Sequence, residues 1–371
     1  MNELATTKIS VLITSVGGAG VGTQILKALQ MAATPYRLIG VDMSPTAYGL
    51  YSVDSRHLVP ASDDPEYLNL LLKICQEDKV KVLIPGSESE ALQVSLNREK
   101  FSIMGVTPIV NPPEVIETCV DKWKTFEFLK SNGLNYPKTV VIEKESDLSK
   151  VDFFPVVIKP AKSSGGSRNV YIAQTKDELS FFANYLLRQG CFPLVQEYVG
   201  SPDEEYTVGV IALDDGEIGG SIALRRYIRT GLSKKLETMS YSGLERLIVS
   251  SGVSEGEVRD FPEVREYSEL IAKKLGAKGP VNIQGRNTKD GFFPFEINPR
   301  FSGSTSVRAL LGFNEPDLLI RYHILGEKPS AITIKEGVVV RGLSELCIPF
   351  TKIDELQHNM NRLSLDSIPN N

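Results

Sequence analysis

Cysteine is scarce in this chain: four residues in 371, at Cys75, Cys119, Cys191 and Cys347, with no CxxC pair. That spacing excludes a zinc ribbon and a disulfide framework, and leaves reduced thiols in a cytoplasmic protein as the expectation. Histidine is scarcer still. His57, His323 and His358 stand apart from any evident catalytic partner, so nothing points to histidine-based acid–base or metal chemistry. No apolar run approaches the roughly 20 residues that cross a bilayer, and the polar stretch Met1–Ser10 lacks the pattern of a signal peptide. An excess of positive charge is also missing. Lys and Arg number 41 against 46 Asp and Glu, a net −5, the opposite of a nucleic-acid-binding domain. The Walker A pattern GxxxxGK[ST] is absent. What remains is a composition of 42% hydrophobic and 23% charged residues, ordinary for a soluble globular protein long enough for two or three cores.

The first hundred residues alternate short apolar runs with helical patterns. Ser10–Thr14, Arg37–Asp42 and Lys81–Pro85 read as buried strands, with helices over Thr23–Met31 and Pro65–Asp78. Strands separated by helices imply βαβ units and a parallel sheet, which binds ligands at the carboxyl ends of its strands. Asn111-Pro112-Pro113 ends the pattern. A helix over Asp121–Asn132 follows, closed by Gly133. Valine-rich strands then alternate with turns in an α+β texture, and the tail after Thr351 is polar enough for partial disorder.

Four segments carry chemistry. In Phe295-Glu296-Ile297-Asn298-Pro299-Arg300, Glu296 and Asn298 sit two apart on a strand and so share a face. Antiparallel pairing through a turn at 289–291 would bring Gln284 beside Glu296. Three oxygen donors on one side suit Mg2+, and Arg300 at the strand end suits a transferring phosphoryl group. The second segment is Val156-Val157-Ile158-Lys159-Pro160 with the loop Ser163-Ser164-Gly165-Gly166-Ser167-Arg168. A lysine closing an apolar strand is costly to bury unless it meets an anion, and a Ser/Gly loop offers close-approaching N–H groups to phosphate. The third, Leu194–Val199 with Glu205 beyond it, offers backbone and carboxylates to an adenine edge and a ribose; an ordinary strand is the plain alternative. The fourth is a cluster of Arg225, Arg226, Arg229, Lys234 and Lys235 around Gly231, either a solvated loop or an arm that closes on a triphosphate.

Together these residues resemble the ATP-grasp superfamily, in particular the half-synthetase unit of the carbamoyl-phosphate synthase large chain, over about residues 8–330. The resemblance implies a Rossmann-like domain over 1–113, a small ATP-grasp lobe with its linker helix over 114–190, a large lobe over 191–330 and a C-terminal strand and polar tail over 331–371. It implies nucleotide contacts from Lys122 of the Asp121-Lys122 pair, Lys159, Ser164, Gly165, Gly166, Glu197, the backbone of Val199 and Glu205. Metal ligands carry over as Gln284, Glu296 and Asn298, and the phosphate clamp as Arg300. A glutamine at the first metal position matches the carbamoyl-phosphate synthase branch. The chain departs from that branch in holding one unit instead of two and no glutaminase. The segment Phe301–Arg308 also differs, and offers Arg308 as a partner for an acid.

The implied activity is Mg-ATP-dependent joining of a carboxylic acid and an amine through an acyl phosphate, with two Mg2+ ions, Mn2+ as a substitute, and a homodimer as the expected assembly. Glu88 and Glu90 are candidates to hold the amine. Two alternatives stand beside this reading. One is a nucleotide-binding regulator without catalysis. The other is a nicotinamide-dependent oxidoreductase, suggested by Gly17-Gly18-Ala19-Gly20-Val21-Gly22 and Asp42, although Thr23 occupies the third glycine position of GxGxxG.

Overall fold

The computed structural model describes residues 8–18, 20–162, 169–330 and 332–365. Strands β1 (Ile9–Thr14), β2 (Tyr36–Asp42), β3 (Ser55–Leu58), β4 (Val82–Ile84) and β5 (Thr107–Pro108) form an all-parallel sheet in the order β3-β2-β1-β4-β5. This is a doubly wound order whose direction of winding reverses between β1 and β4. The crevice for a ligand therefore lies at the turns after Thr14 and Ile84. Close approach dictates glycine at two places there. A Cβ at Gly22 or at Gly86 would sit 2.2 Å from the Thr14 carbonyl oxygen, so part of the glycine run serves packing of the helix Val21–Gln30 against the sheet.

The expected helix after Asp121 spans Lys122–Ser131, with Asp121 as N-cap accepting from the Trp123 and Lys124 amides. It leads into a four-stranded sheet of β6 (Thr139–Val141), β7 (Val156–Pro160), β8 (Tyr171–Ala173) and β9 (Pro193–Glu197), in the order β6-β9-β7-β8. The expected division at 190/191 cuts this sheet, because β9 is hydrogen-bonded between β6 and β7. Its apolar run gives a strand but not the sheet it joins.

A six-stranded sheet follows, in the order β16-β15-β10-β11-β14-β17, from β10 (Glu205–Ala212), β11 (Ile218–Arg226), β14 (Gly256–Val258), β15 (Pro280–Thr288), β16 (Gly291–Asn298) and β17 (Gly337–Val339). The hairpin of β12 (Lys234–Met239) and β13 (Arg246–Ser250) stands apart from it. The region after residue 330 thus contributes an edge strand. Of the tail after Thr351, expected to be partly disordered, the described residues form a helix, Phe350–Leu365, that buries Leu356 and Leu363 against other elements; residues 366–371 lie outside the described residues. A polar sequence with a narrow apolar stripe needs only those contacts to hold a helix. One hydrophobic cluster joins Val11, Ile13 and Ile25 of the first domain to Ile211, Leu224 and Phe313 around the large sheet. Asn111 adds polar ties, donating to the carbonyls of Pro280 (2.8 Å) and Pro299 (3.1 Å). The first sheet and the large sheet are therefore fixed to one another at the site.

Candidate active site

The turn at 289–291 pairs β15 with β16 antiparallel, and the register sets Gln284 directly opposite Glu296 and Asn282 opposite Asn298. Alternation places Ile297 in the core and turns Glu296 and Asn298 the other way, Glu296 toward a cleft of about 800 Å³ between the four- and six-stranded sheets. Lys122, Lys159, Glu197, Val199, Glu205, Gln284 and Glu296 line that cleft. An adjoining chamber of about 560 Å³ shares Lys122, Lys159 and Glu296 and adds Asn298 and Glu88. Residues from strands more than a hundred positions apart in sequence meet here.

Lys159 is 7% exposed, and its ammonium donates to Gln196 Oε1 (2.9 Å) and the Phe295 carbonyl (3.1 Å), both neutral. Burial pulls its pKa down to about 8; nearby Lys122 adds to that, and Glu296 opposes it. A buried cation resting on neutral acceptors is well placed to receive an anion. Glu296 makes no ion pair within 4 Å among the described residues; its carboxylate lines the cleft and acts on Lys159 and Arg226 through space. Gln284, Glu296 and Asn298 supply oxygen donors with a single negative charge, a set that fits Mg2+ completing its shell with phosphate and water oxygens. Among the described residues no three His, Cys, Asp or Glu side chains converge, so no carboxylate-rich cage competes with that assignment.

Glu205 lies on the cleft wall but is 1% exposed, held by Arg226 (3.0 Å) and Arg286 (3.1 Å). The Arg286 guanidinium also stacks 4.3 Å over the Tyr198 ring and donates to the Val199 carbonyl (3.1 Å). Glu205 thus shapes the cleft-lining loop at Tyr198–Val199 through Arg286, while Arg226 ties it to the segment at Ser250–Val253. Arg286 escaped the sequence reading, although its position two beyond Gln284 puts it on the same face. Arg226, grouped with the basic arm, is instead a buried structural cation; Arg225 pairs with Glu204 and Glu257, and Lys234 with Glu237. The hairpin contributes Ile248, Val249 and Ser250 to the cleft wall.

Arg300 leaves β16 as expected, next to Asn298 (3.4 Å), and forms an ion pair with Glu88 from the first domain. Arg300 holds the Glu88 carboxyl below the usual glutamate range despite its burial. Glu88 is therefore engaged by a cation, not open to an amine. Glu90 is equally occupied: it accepts from the hydroxyls of Thr14 (2.6 Å), Ser15 (2.6 Å) and Ser87 (2.8 Å), and burial pushes its pKa up. Arg308 does not fit the acid-binding role. It is 0% exposed, and its guanidinium is taken up by Glu315 (3.1 Å), Asn282 (2.7 Å) and Thr207 (3.2 Å). The helix Thr305–Leu310 turns it inward over the sheet, a direction that spacing alone does not reveal. Ser164, Gly165 and Gly166 lie outside the described residues. Asp42 accepts from the Ser44 amide (2.9 Å) and is also hydrogen-bonded by the backbone of Gly17, so the acid a nicotinamide ribose would require is used to fix the turn.

Three domain families match the chain: PylC-like, N-terminal domain, over residues 11–109; RimK-like ATP-grasp domain over 119–234; and ATP-grasp in the biosynthetic pathway with Ter operon over 193–346. The carbamoyl phosphate synthase large chain of Thermoplasma volcanium is 24% identical over 254 residues, 66% of this chain and 23% of the relative. That of Vibrio cholerae is 25% identical over 243 residues, 64% of this chain and 21% of the relative. The chain thus spans under a quarter of the length of these relatives. Among solved structures, the biotin carboxylase domain of Hydrogenobacter thermophilus 2-oxoglutarate carboxylase, a dimer in complex with MgADP and bicarbonate, superimposes with a TM-score of 0.62 at 18% identity, covering 88% of this chain and 72% of that one. The L-amino acid ligase of Bacillus licheniformis gives 0.60 at 16% identity, covering 86% and 74%. The N5-carboxyaminoimidazole synthetase of Staphylococcus aureus complexed with ADP gives 0.61 at 15%, covering 90% and 81%. No helix among the described residues is long and apolar enough to cross a membrane.

Proposed function

The chain belongs to the ATP-grasp superfamily of ATP-dependent ligases, and on that premise we propose that it joins a carboxylic acid to an amine through an acyl phosphate. The observation that carries this reading is the placement of Gln284, Glu296, Asn298 and Lys159 around two adjoining cavities that share Lys159 and Glu296. Lys159 and Lys122 hold the phosphates of ATP, while the loop at Glu197–Val199 borders the base and ribose. Gln284, Glu296 and Asn298 would hold Mg2+, which would offset charge on the phosphates; two ions, and Mn2+ in their place, are the finer form of this proposal.

The balance of the reaction is simple. A carboxylate oxygen of the acid attacks the γ-phosphorus, the bond to the β-phosphate oxygen breaks, and ADP leaves with that electron pair. Arg300 and Lys159 stabilise the equatorial oxygens during the transfer. The amine then attacks the acyl carbon, inorganic phosphate departs, and the amine loses one proton. No side-chain nucleophile is required, so the protein contributes positioning and fixed charge. A ligase of amino acids among the structural neighbours supports the carbon–nitrogen assignment, and a dimeric neighbour supports a homodimer as the assembly to test.

The test is turnover of Mg-ATP against a panel of carboxylic acids with hydroxylamine present. ADP together with a hydroxamate for one acid is the expected result. AMP and pyrophosphate would overturn the acyl phosphate in favour of adenylation.

A further inference from the structure

Beyond the nucleotide cleft, a second cleft of about 1580 Å³ opens between the helix Val21–Gln30, the helix Thr305–Leu310 and the chain that follows β17. Arg341, Lys27, Tyr48, Val307 and Leu310 are among the residues that line it. The Arg341 guanidinium donates to Gln24 Oε1 (2.8 Å) and Ser306 Oγ (3.0 Å), both neutral. Ser306 also donates to the same Gln24 oxygen (2.5 Å), so the three side chains fix one another. The Arg341 backbone amide donates to Glu255 Oε1 (2.9 Å), which ties down the segment after β17 that presents it.

The charge pattern separates Arg341 from the other arginines around the site. Arg226 and Arg286 sit on Glu205, Arg300 on Glu88 and Arg308 on Glu315. None of the described carboxylates lies within 4 Å of the Arg341 guanidinium; burial lowers its pKa, and the Glu255 carboxylate opposes that from a distance. A half-buried cation whose guanidinium rests on neutral acceptors, lining a cavity that also offers Val307 and Leu310, is an arrangement that recognises a carboxylate attached to a partly apolar body. Ser306 lies six residues past Arg300, so no more than about 20 Å of chain separates this anchor from the phosphate clamp.

We propose that this cleft takes a carboxylate-bearing substrate with a bulky, partly apolar body, anchored by Arg341, and that the enzyme is built for an acid far larger than bicarbonate. The inference rests on the ligase reading for the fate of the substrate but not for its binding. The anchored carboxylate is either the group that receives phosphate or the spectator carboxylate of an amino acid that attacks through its amine.

The test combines binding and turnover on the full chain. Bicarbonate, acetate, hexanoate, phenylacetate and L-leucine are titrated calorimetrically without nucleotide, against the native protein and the Arg341→Ala, Arg341→Lys and Leu310→Trp variants. At least one of the three larger compounds should bind. Its affinity should fall tenfold or more in Arg341→Ala, recover in part in Arg341→Lys, and fall in Leu310→Trp, while binding of Mg-ATPγS stays constant throughout. Binding of none of the acids, equal binding of bicarbonate, or loss of Mg-ATPγS affinity in Arg341→Ala would overturn the proposal. Hydroxamate and ADP from the bound compound alone identify it as the phosphate acceptor; a requirement for a second acid identifies it as the nucleophile. Binding as expected with no turnover would sink the ligase reading and leave this site standing. Turnover with bicarbonate alone, unchanged in Arg341→Ala, would do the reverse.

Discussion

Arg308 and Glu315 form an ion pair of 3.1 Å with both side chains sealed from solvent, packed over the backbone of Gly209. A Cβ at Gly209 would stand 2.1 Å from the Glu315 carboxylate and 2.3 Å from the Arg308 guanidinium, so the glycine is what lets the pair lie flat on β10. Breaking such a pair strands a charge in the core, whereas removing both charges can be close to neutral. Arg308→Met should therefore lower unfolding free energy by about 3–5 kcal/mol. Arg308→Met combined with Glu315→Leu should recover most of that loss. Denaturant melts of the two variants check this. If Arg308→Met instead leaves stability intact and raises only the KM for the acid, the residue is a substrate ligand after all.

Lys159 gives a pH dependence with two opposite signs. Its pKa is lowered to about 8 in the folded protein, against about 10.4 in an unfolded chain. Between these values the unfolded state binds more protons, so this group makes the apo protein more stable as pH rises from about 8 toward 10.4. With the ammonium in its proposed role on the phosphates, nucleotide binding should weaken as pH rises through about 8. Bound phosphate shifts that limit upward, because a nearby anion favours the charged form. Calorimetric titration of ADP and thermal melts across pH 7–10 measure both trends. In Lys159→Met the two should disappear together.

Much of this centre was legible in the sequence, because β-strand alternation is a strong constraint. The two-residue spacing of Glu296 and Asn298, with a turn at 289–291, led directly to the register that pairs Gln284 with Glu296. The parallel first sheet followed likewise from apolar runs separated by helices. What failed was whatever depends on the partner across space. Arg308 carries no mark in sequence that it would be turned inward to Glu315, nor Glu88 that it would meet Arg300 from another domain. The strand β9 was seen as a strand and given to the wrong sheet, since apolar composition is the same on either side of the cleft. Arg341 lies beyond the last recognised motif, and only the fold brings it back to the helix Val21–Gln30.

The pairing of Glu88 with Arg300 predicts a graded effect on phosphoryl transfer. Arg300→Ala removes the cation proposed to meet the transferring phosphate and should lower kcat by about 10²–10³. Glu88→Gln leaves the cation and loses only the carboxylate that positions it, so the loss should be smaller, about tenfold. Neither should greatly change the KM for ATP, because Lys159 and the Glu197–Val199 loop are untouched. Steady-state kinetics on both variants decide the matter. An equal loss from Glu88→Gln and Arg300→Ala would mean that Glu88 itself acts on the reacting groups.

Glu296 is the single carboxylate of the proposed metal set, so Glu296→Gln alters charge while leaving shape nearly constant. A neutral trio of amide oxygens should hold Mg2+ poorly. The Mg2+ concentration required for turnover should rise, and kcat should drop by about 10² or more even at saturation. The same substitution reaches Lys159, because the Glu296 carboxylate is what opposes the lowering of that lysine's pKa. Without it the ammonium should titrate below about 8, and metal-free ADP binding should fail at lower pH than in the native protein. Calorimetric titration of ADP in EDTA, at a series of pH values, isolates this second effect from the loss of metal. An unchanged pH limit with lost Mg2+ dependence would place Glu296 on the metal but remove it from the field felt by Lys159. A shifted limit with normal turnover would sink the metal assignment.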